Sequence, residues 1–225
     1  MGPAPFWVCA ERQTAGRGRG DRNWHSPSGN LHATHLVVLD VSPSVLGQLA
    51  FVAVLALHDA VASAAPLLAP RLGVKWPNDL LIDGAKLAGM LLEVRPAPAG
   101  GHRIALGIGV NCTLAPRTGL YPTTSLLARG ASVPPAMLLS HLTVTMAQRF
   151  GQWDIGAGFP DIRHDWLQRC VGLGEPIAVR LPGRERRGRF ADLDERGHLL
   201  LSTPAGLETI HAGDVFLGSG DGPRA

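Results

Sequence analysis

The sequence predicts an α+β fold, a mixed sheet packed by helices, followed by a small five-stranded β-barrel. Three observations carry this. Apolar runs bounded by Gly, Pro and Asp recur through the first half of the chain, as strands do. Three stretches keep apolar residues at 3.6-residue spacing. From Gly172 the texture changes to short alternating runs separated by turn dipeptides. The 225 residues are 45% hydrophobic and 17% charged, which suits one globular domain with a small appendage and excludes disorder of the whole. A net charge of +3 agrees with an anionic ligand but is too weak for a nucleic-acid footprint.

Phe6 to Glu11 reads as a strand after a short lead, and Leu31 to Leu39 as a second. His32 and His35 lie three apart in that strand, hence on opposite faces, so they are not expected to share a metal. Ser42-Pro43 has the form of an N-cap and first turn. Leu46, Leu49, Ala50, Ala53, Val54, Leu57, Ala60, Val61 and Ala64 then predict one long amphipathic helix, ended near Pro66 and Pro70. Its longest unbroken apolar run, Leu49 to Leu57, is too short to span a bilayer. Leu72 to Leu80 is a strand leading into a bend at Pro77. Leu80 to Asp83 and Lys86 to Val94 form a hairpin about Asp83-Gly84, and Arg103 to Val110 is a buried strand. Cys112 to Pro135 is a long loop. Met137 to Phe150 and Asp161 to Cys170 read as helices. The expected division is 1–171, then a barrel at 172–218 of about SH3 size, near the lower limit for folding alone and so expected to dock on the main domain, then a tail at 219–225. Arg184, Arg186, Arg187 and Arg189 are expected to charge an edge strand against aggregation.

Cys9, Cys112 and Cys170 are odd in number and widely spaced, so reduced thiols are expected rather than a disulfide framework or a zinc site. Met1 to Ala10 has no basic start or long apolar run of a signal peptide, and a cytoplasmic location is expected.

The stretch Gln13 to Asn30 carries the chemistry. Gly16, Arg17, Gly18 and Arg19 alternate residues whose backbone comes close to a ligand with guanidinium forks that match phosphate or carboxylate. Trp24 offers a flat face. Arg-Gly repeats also occur in disordered RNA-binding arms. This one sits between two strand-like runs and is anchored at both ends, which favours an anion-holding loop.

Three more runs follow in order: Lys75-Trp-Pro-Asn-Asp79, Lys86-Leu-Ala-Gly89 and Gly107-Ile-Gly-Val-Asn111. Each is weak alone. Together, behind the Gly-Arg loop, they resemble the catalytic domain of biotin protein ligases, and the resemblance extends over most of the chain including the SH3-like end. It implies the class II aminoacyl-tRNA synthetase-like, biotin–lipoate ligase fold. It also implies a two-step reaction with ATP, biotin and Mg²⁺: formation of biotinyl-5′-AMP, then transfer to a lysine of a biotin carboxyl carrier protein domain. By the same resemblance Gln13 faces the ureido ring, the loop from Gly16 to Arg19 closes over the ligand, and Trp24 lies near adenine. Lys86 and Arg17 are the expected catalytic residues, Gly89 leaves room for biotin, Asn111 reads adenine, and Asn78 and Asp79 organise the site and help to hold Mg²⁺, the alternative being that Asp79 fixes Lys86 or a turn. Family loops read G-R-G-R-x-G-R, whereas here Asp21 replaces a glycine, with weaker anion retention expected. The family also carries an upstream strand and helix with a Ser/Thr-Asn motif beside the biotin pocket, which this chain is expected to lack. An N-terminal helix-turn-helix is not expected either, so no DNA partner is; pairing into a homodimer stays open. Alternatives are a lipoate or octanoate ligase and a non-catalytic biotin- or carrier-binding homologue.

Overall fold

Short connections between successive apolar strands bring them together antiparallel. In the computed structural model, which describes residues 4–116 and 121–218, a six-stranded sheet is formed by β1 (Phe6–Cys9), β2 (Leu31–Leu39), β3 (Leu72–Lys75), β4 (Asp79–Ile82), β5 (Ala85–Pro96) and β6 (His102–Val110), in the order β1-β2-β6-β5-β4-β3. Every pairing between these strands is antiparallel; the parallel character of a mixed sheet is confined to single bridges, Val74 with Cys170 and Lys86 with Thr123. The hairpin between β4 and β5 turns on Asp83 and Gly84, with φ of 48° and 75°, as the Asp-Gly pair predicts. The Asp21 side chain, residues 117–120 of the long loop and the tail 219–225 lie outside the described residues.

Helix α1 (Pro43–Leu46) is capped by Ser42, whose hydroxyl accepts the Ser44 N–H at 3.3 Å. Gly47 and Gln48 keep right-handed helical dihedrals and only tighten the hydrogen bonds before α2 (Leu49–Ala64), so Pro43–Ala64 runs as the one helix expected. The buried Gln48 side chain anchors the junction by accepting the Trp153 indole N–H at 2.7 Å. Helix α2 is not amphipathic, however. Every residue from Phe51 to Leu57 is buried, because the sheet covers one side of the helix, and α3 (Pro135–Trp153) and α4 (Phe159–Gln168) cover the other. A helix enclosed by neighbours is apolar all round. Pro43–Ala64 is therefore long and apolar enough to cross a membrane by length and composition, yet 72% of its most apolar window is buried inside the fold. His35, on β2, packs between Trp7 and Phe150 at 4.7 and 5.5 Å, while the His32 ring meets the Pro27 carbonyl.

The C-terminal strands are β7 (Pro176–Leu181), β8 (Arg184–Leu193), β9 (Leu199–Thr203), β10 (Gly206–Ile210) and β11 (Asp214–Leu217), in the order β10-β9-β8-β7-β11. The arginine-rich strand β8 is thus the middle strand, not an edge, which corrects the expectation: β11, too short to stand out in the sequence, adds beside β7 and leaves β10 and β11 at the edges. Arg186 and Arg187 instead pair with Glu208 and Glu185. The barrel is fastened to the main domain by the Trp76 indole, which donates to the Gly197 carbonyl at 3.0 Å, and Gly197 lies against Phe51 and Phe159.

Cys9 is exposed, whereas burial pushes the Cys112 thiol up to about 11 and the Cys170 thiol up to about 12. Since the thiolate is the reactive form, a thiol reagent at pH 8 should modify Cys9 first and the other two only after denaturation. Equal native rates at all three, read by mass spectrometry, would contradict this placement.

Candidate active site

Side chains alternate across a strand, so one face of β5 and β6 presents Gly89, Leu91 and Glu93 beside Gly107 and Gly109. The other face carries Leu92, Leu106 and Ile108 toward the core. The glycines leave a floor of bare backbone. At Gly109 this is required: a Cβ would lie 2.5 Å from the Trp24 indole. Above the floor is a cavity of about 590 Å³, within the usual range for a small-molecule site.

Of the residues singled out in the sequence, Gln13, Arg17, Gly18, Arg19, Trp24, Asn78, Asp79, Lys86, Gly89 and Asn111 all line this cavity. Gly16 stands behind it, packed against the Trp24 carbonyl and the side chains of Gln13 and Ser26. The Gly-Arg stretch is a tight hairpin, with the Gly18 N–H donating to Arg22 O at 2.7 Å and the Trp24 N–H to Gly16 O at 2.8 Å. It is a loop held at both ends, by β1 and β2.

At the centre, Asp79 accepts from two ammonium groups. Lys86 Nζ is 2.7 Å from Oδ1 and Lys75 Nζ is 3.3 Å from Oδ2. All three side chains are nearly buried. Burial alone would raise the Asp79 carboxyl, but the neighbouring Lys86 and Lys75 charges outweigh it and hold the group below the usual aspartate range. The Asn78 amide turns away and donates to the Met90 carbonyl. Both Asp79 oxygens face ammonium groups and Asn78 is engaged elsewhere, so this donor set does not suit a protein-held Mg²⁺, which wants free carboxylate oxygens. No cluster of three His, Cys, Asp or Glu able to hold a metal occurs among the described residues.

Arg17 reaches Glu93 at 2.9 Å in an exposed pair. Arg19 donates to the Gly213 carbonyl at 3.1 Å and Arg22 to Asp214 at 2.9 Å, so the loop is tied to the barrel. Lys75 approaches the Val215 carbonyl at 3.4 Å. The Asn111 amide donates to Thr124 O at 3.1 Å, and its oxygen lies 3.5 Å from Asn30 Nδ2. The Gln13 amide oxygen accepts the Ser26 hydroxyl at 2.8 Å. The Trp24 indole N–H is buried with no acceptor among the described residues.

The sequence reading passed over Lys75, Arg22, Tyr121 and Asp214, all of which line the cavity. Lys75 stood inside a quoted run and could have been found by its spacing of four from Asp79. Arg22 continued the basic loop. Asp214 had no local signal. Arg17, Arg19, Arg22, Lys75 and Lys86 oppose Asp79, Glu93 and Asp214, leaving an excess of two positive charges around the cavity. The arrangement can bind an anion on its open side and neutralise charge that develops there.

Residues 3–111 match the model of the Biotin/lipoate A/B protein ligase family, and residues 172–218 that of the Biotin protein ligase C terminal domain. The chain is 41% identical over 218 residues to a biotin–[acetyl-CoA-carboxylase] ligase of Paracoccus denitrificans, covering 94% of this chain and 90% of that one. Among solved structures, a biotin protein ligase from Aquifex aeolicus in complex with biotin and ATP superposes with a TM-score of 0.80 at 24% identity, covering 95% of this chain and 89% of that chain. One from Leishmania major in complex with biotinyl-5-AMP superposes with a TM-score of 0.65 at 27% identity, covering 92% and 89%.

Proposed function

Because the chain belongs to the biotin/lipoate A/B protein ligase family, we propose that it is an ATP-dependent ligase that makes biotinyl-5′-AMP and transfers biotin to a lysine of a biotin carboxyl carrier protein. The observation that carries this is the Lys75–Asp79–Lys86 cluster under an arginine loop in one cavity.

A biotin carboxylate oxygen attacks the α-phosphorus of ATP, and the bond to the β-phosphate breaks, releasing pyrophosphate. The ε-amine of the carrier lysine then attacks the acyl carbon and AMP leaves. The first step brings two anions together; at 4 Å and an effective dielectric of 20 they repel by about 4 kcal/mol. Lys86 is placed to offset this. Asp79 orients its ammonium, and the excess positive charge around the cavity leaves it free to answer a second anion. No enzyme nucleophile is needed. Gln13 is assigned to the ureido ring, Trp24 and Asn111 to the adenine side, and Gly89 to the strand against which biotin lies. In this reading the phosphate charge is met by the lysines with Arg17 and Arg19. The cytoplasm, where free thiols persist, is the assigned compartment.

Arg17 gives up little by leaving Glu93, since exposed ion pairs contribute at most about 1 kcal/mol. A hydrogen bond from a charged group to the adenylate is worth about 1.5–3 kcal/mol. Arg17→Ala should therefore release the adenylate about 2- to 100-fold faster in a stopped-flow chase; unchanged release would remove Arg17 from the lid. The reading as a whole is tested by incubating a purified carrier domain with this protein, ATP, Mg²⁺ and biotin. One biotinyl group should appear on the carrier by intact mass, and labelling by lipoate instead of biotin would overturn it.

A further inference from the structure

We infer that Tyr121 is a positioning residue for the lysine pair, its ring setting where the Lys75 and Lys86 ammonium groups stand. This rests on the ligase reading above. Tyr121 is the chain's one tyrosine. It enters the cavity from the long loop after β6, a region with no catalytic motif in the sequence. Its place beside Lys86 is built by backbone: the Lys86 N–H donates to Pro122 O at 2.8 Å, and the Thr124 N–H donates to Lys86 O at 2.9 Å. This strap holds the residue next to β5. Both ammonium groups then lie over the same ring, Lys75 Nζ at 4.9 Å and Lys86 Nζ at 5.2 Å from its centroid.

Two like charges share the single carboxylate of Asp79, and they repel. The negative face of an aromatic ring attracts both. It gives both cations one shared anchor that is not an anion, closer to Lys86 than the Trp24 ring at 5.7 Å and added for Lys75 to the Val215 carbonyl at 3.4 Å, so the pair stays in place without cancelling the charge needed for phosphate. The hydroxyl, 3.5 Å from Lys86 Nζ, is at the limit of hydrogen bonding. The ring, not the hydroxyl, is therefore the working part, and phenylalanine should replace it.

The test compares wild type, Tyr121→Phe and Tyr121→Leu by two readouts. In single-turnover adenylation, Tyr121→Leu should lower the rate constant by about 2- to 30-fold with the KM for biotin unchanged, while Tyr121→Phe stays near wild type. In competitive acetylation with trace acetic anhydride, mapped by mass spectrometry, Lys75 and Lys86 of Tyr121→Leu should label faster by a comparable factor, with Tyr121→Phe like wild type. Equal labelling in all three proteins, or equal loss in Phe and Leu, would overturn the assignment. If the wild type forms no adenylate, the ligase reading falls, and the labelling still decides the role of Tyr121.

Discussion

Lys86→Ala should slow biotinyl-adenylate formation by about 10²- to 10³-fold, the usual cost of removing one preorganised electrostatic group from a transition state. Biotin binding should change far less. The reasoning is geometric. Lys86 Nζ is nearly buried, oriented by Asp79 at 2.7 Å, and lines the cavity with Gly89 at the strand where biotin is assigned. Gly89 is so close that a Cβ there would lie 3.1 Å from Lys86 Nζ. An ammonium in that place acts most where charge gathers on the reacting oxygens, not on the uncharged ring of the vitamin. Rapid-quench measurement of adenylate, beside isothermal titration with biotin, separates the two. Equal losses in both would make Lys86 a binding residue only.

Asp79→Asn should be the most destabilising change in the site. It leaves Lys75 and Lys86 nearly buried beside each other with no counter-charge, and breaking one side of a buried pair costs about 3–5 kcal/mol. For a chain of this length that is a fall of roughly 10 °C in the unfolding midpoint. The difference from wild type also depends on pH. The Asp79 carboxyl is held below its ordinary value in the folded protein, so its contribution is present above about pH 4, the unfolded aspartate value, and is lost as pH falls through the folded value. Differential scanning calorimetry from pH 7 to pH 3 should therefore find a gap that is constant above about pH 4 and narrows below it. ATP should raise the midpoint of Asp79→Asn more than that of wild type, because phosphate supplies the missing negative charge. A gap independent of pH, or equal ATP shifts, would remove the carboxylate from this role.

Much of this was legible in the sequence where chemistry is local. Apolar runs marked β2 and β6, the Asp-Gly pair marked the hairpin, and three short runs behind the Gly-Arg loop brought their residues to one cavity. What was not legible depends on distant partners. Arg22 finds Asp214 across 192 positions, and neither has a local pattern that names the other. Helix α2 was read as two-sided because its heptad positions are apolar; the intervening Phe51, Val52 and Leu55 are apolar too, and only the presence of α3 and α4 explains them. The arginines of β8 suggested an edge because charge is common at edges, but strand order is a property of the assembled barrel. Lys75 was seen and left unassigned, since Asp79 was read toward Mg²⁺, Lys86 or a turn and not toward Lys75, its partner at 3.3 Å.

The loop at Arg19 and Arg22, and Lys75 behind it, all meet oxygens of Gly213, Asp214 and Val215, at the start of the last strand. A chain emerging from the ribosome has therefore made Arg19 and Arg22 194 and 192 residues, and Lys75 140 residues, before the atoms that they bond. Arg19, Arg22 and Lys75 gain these partners only when β11 is laid beside β7.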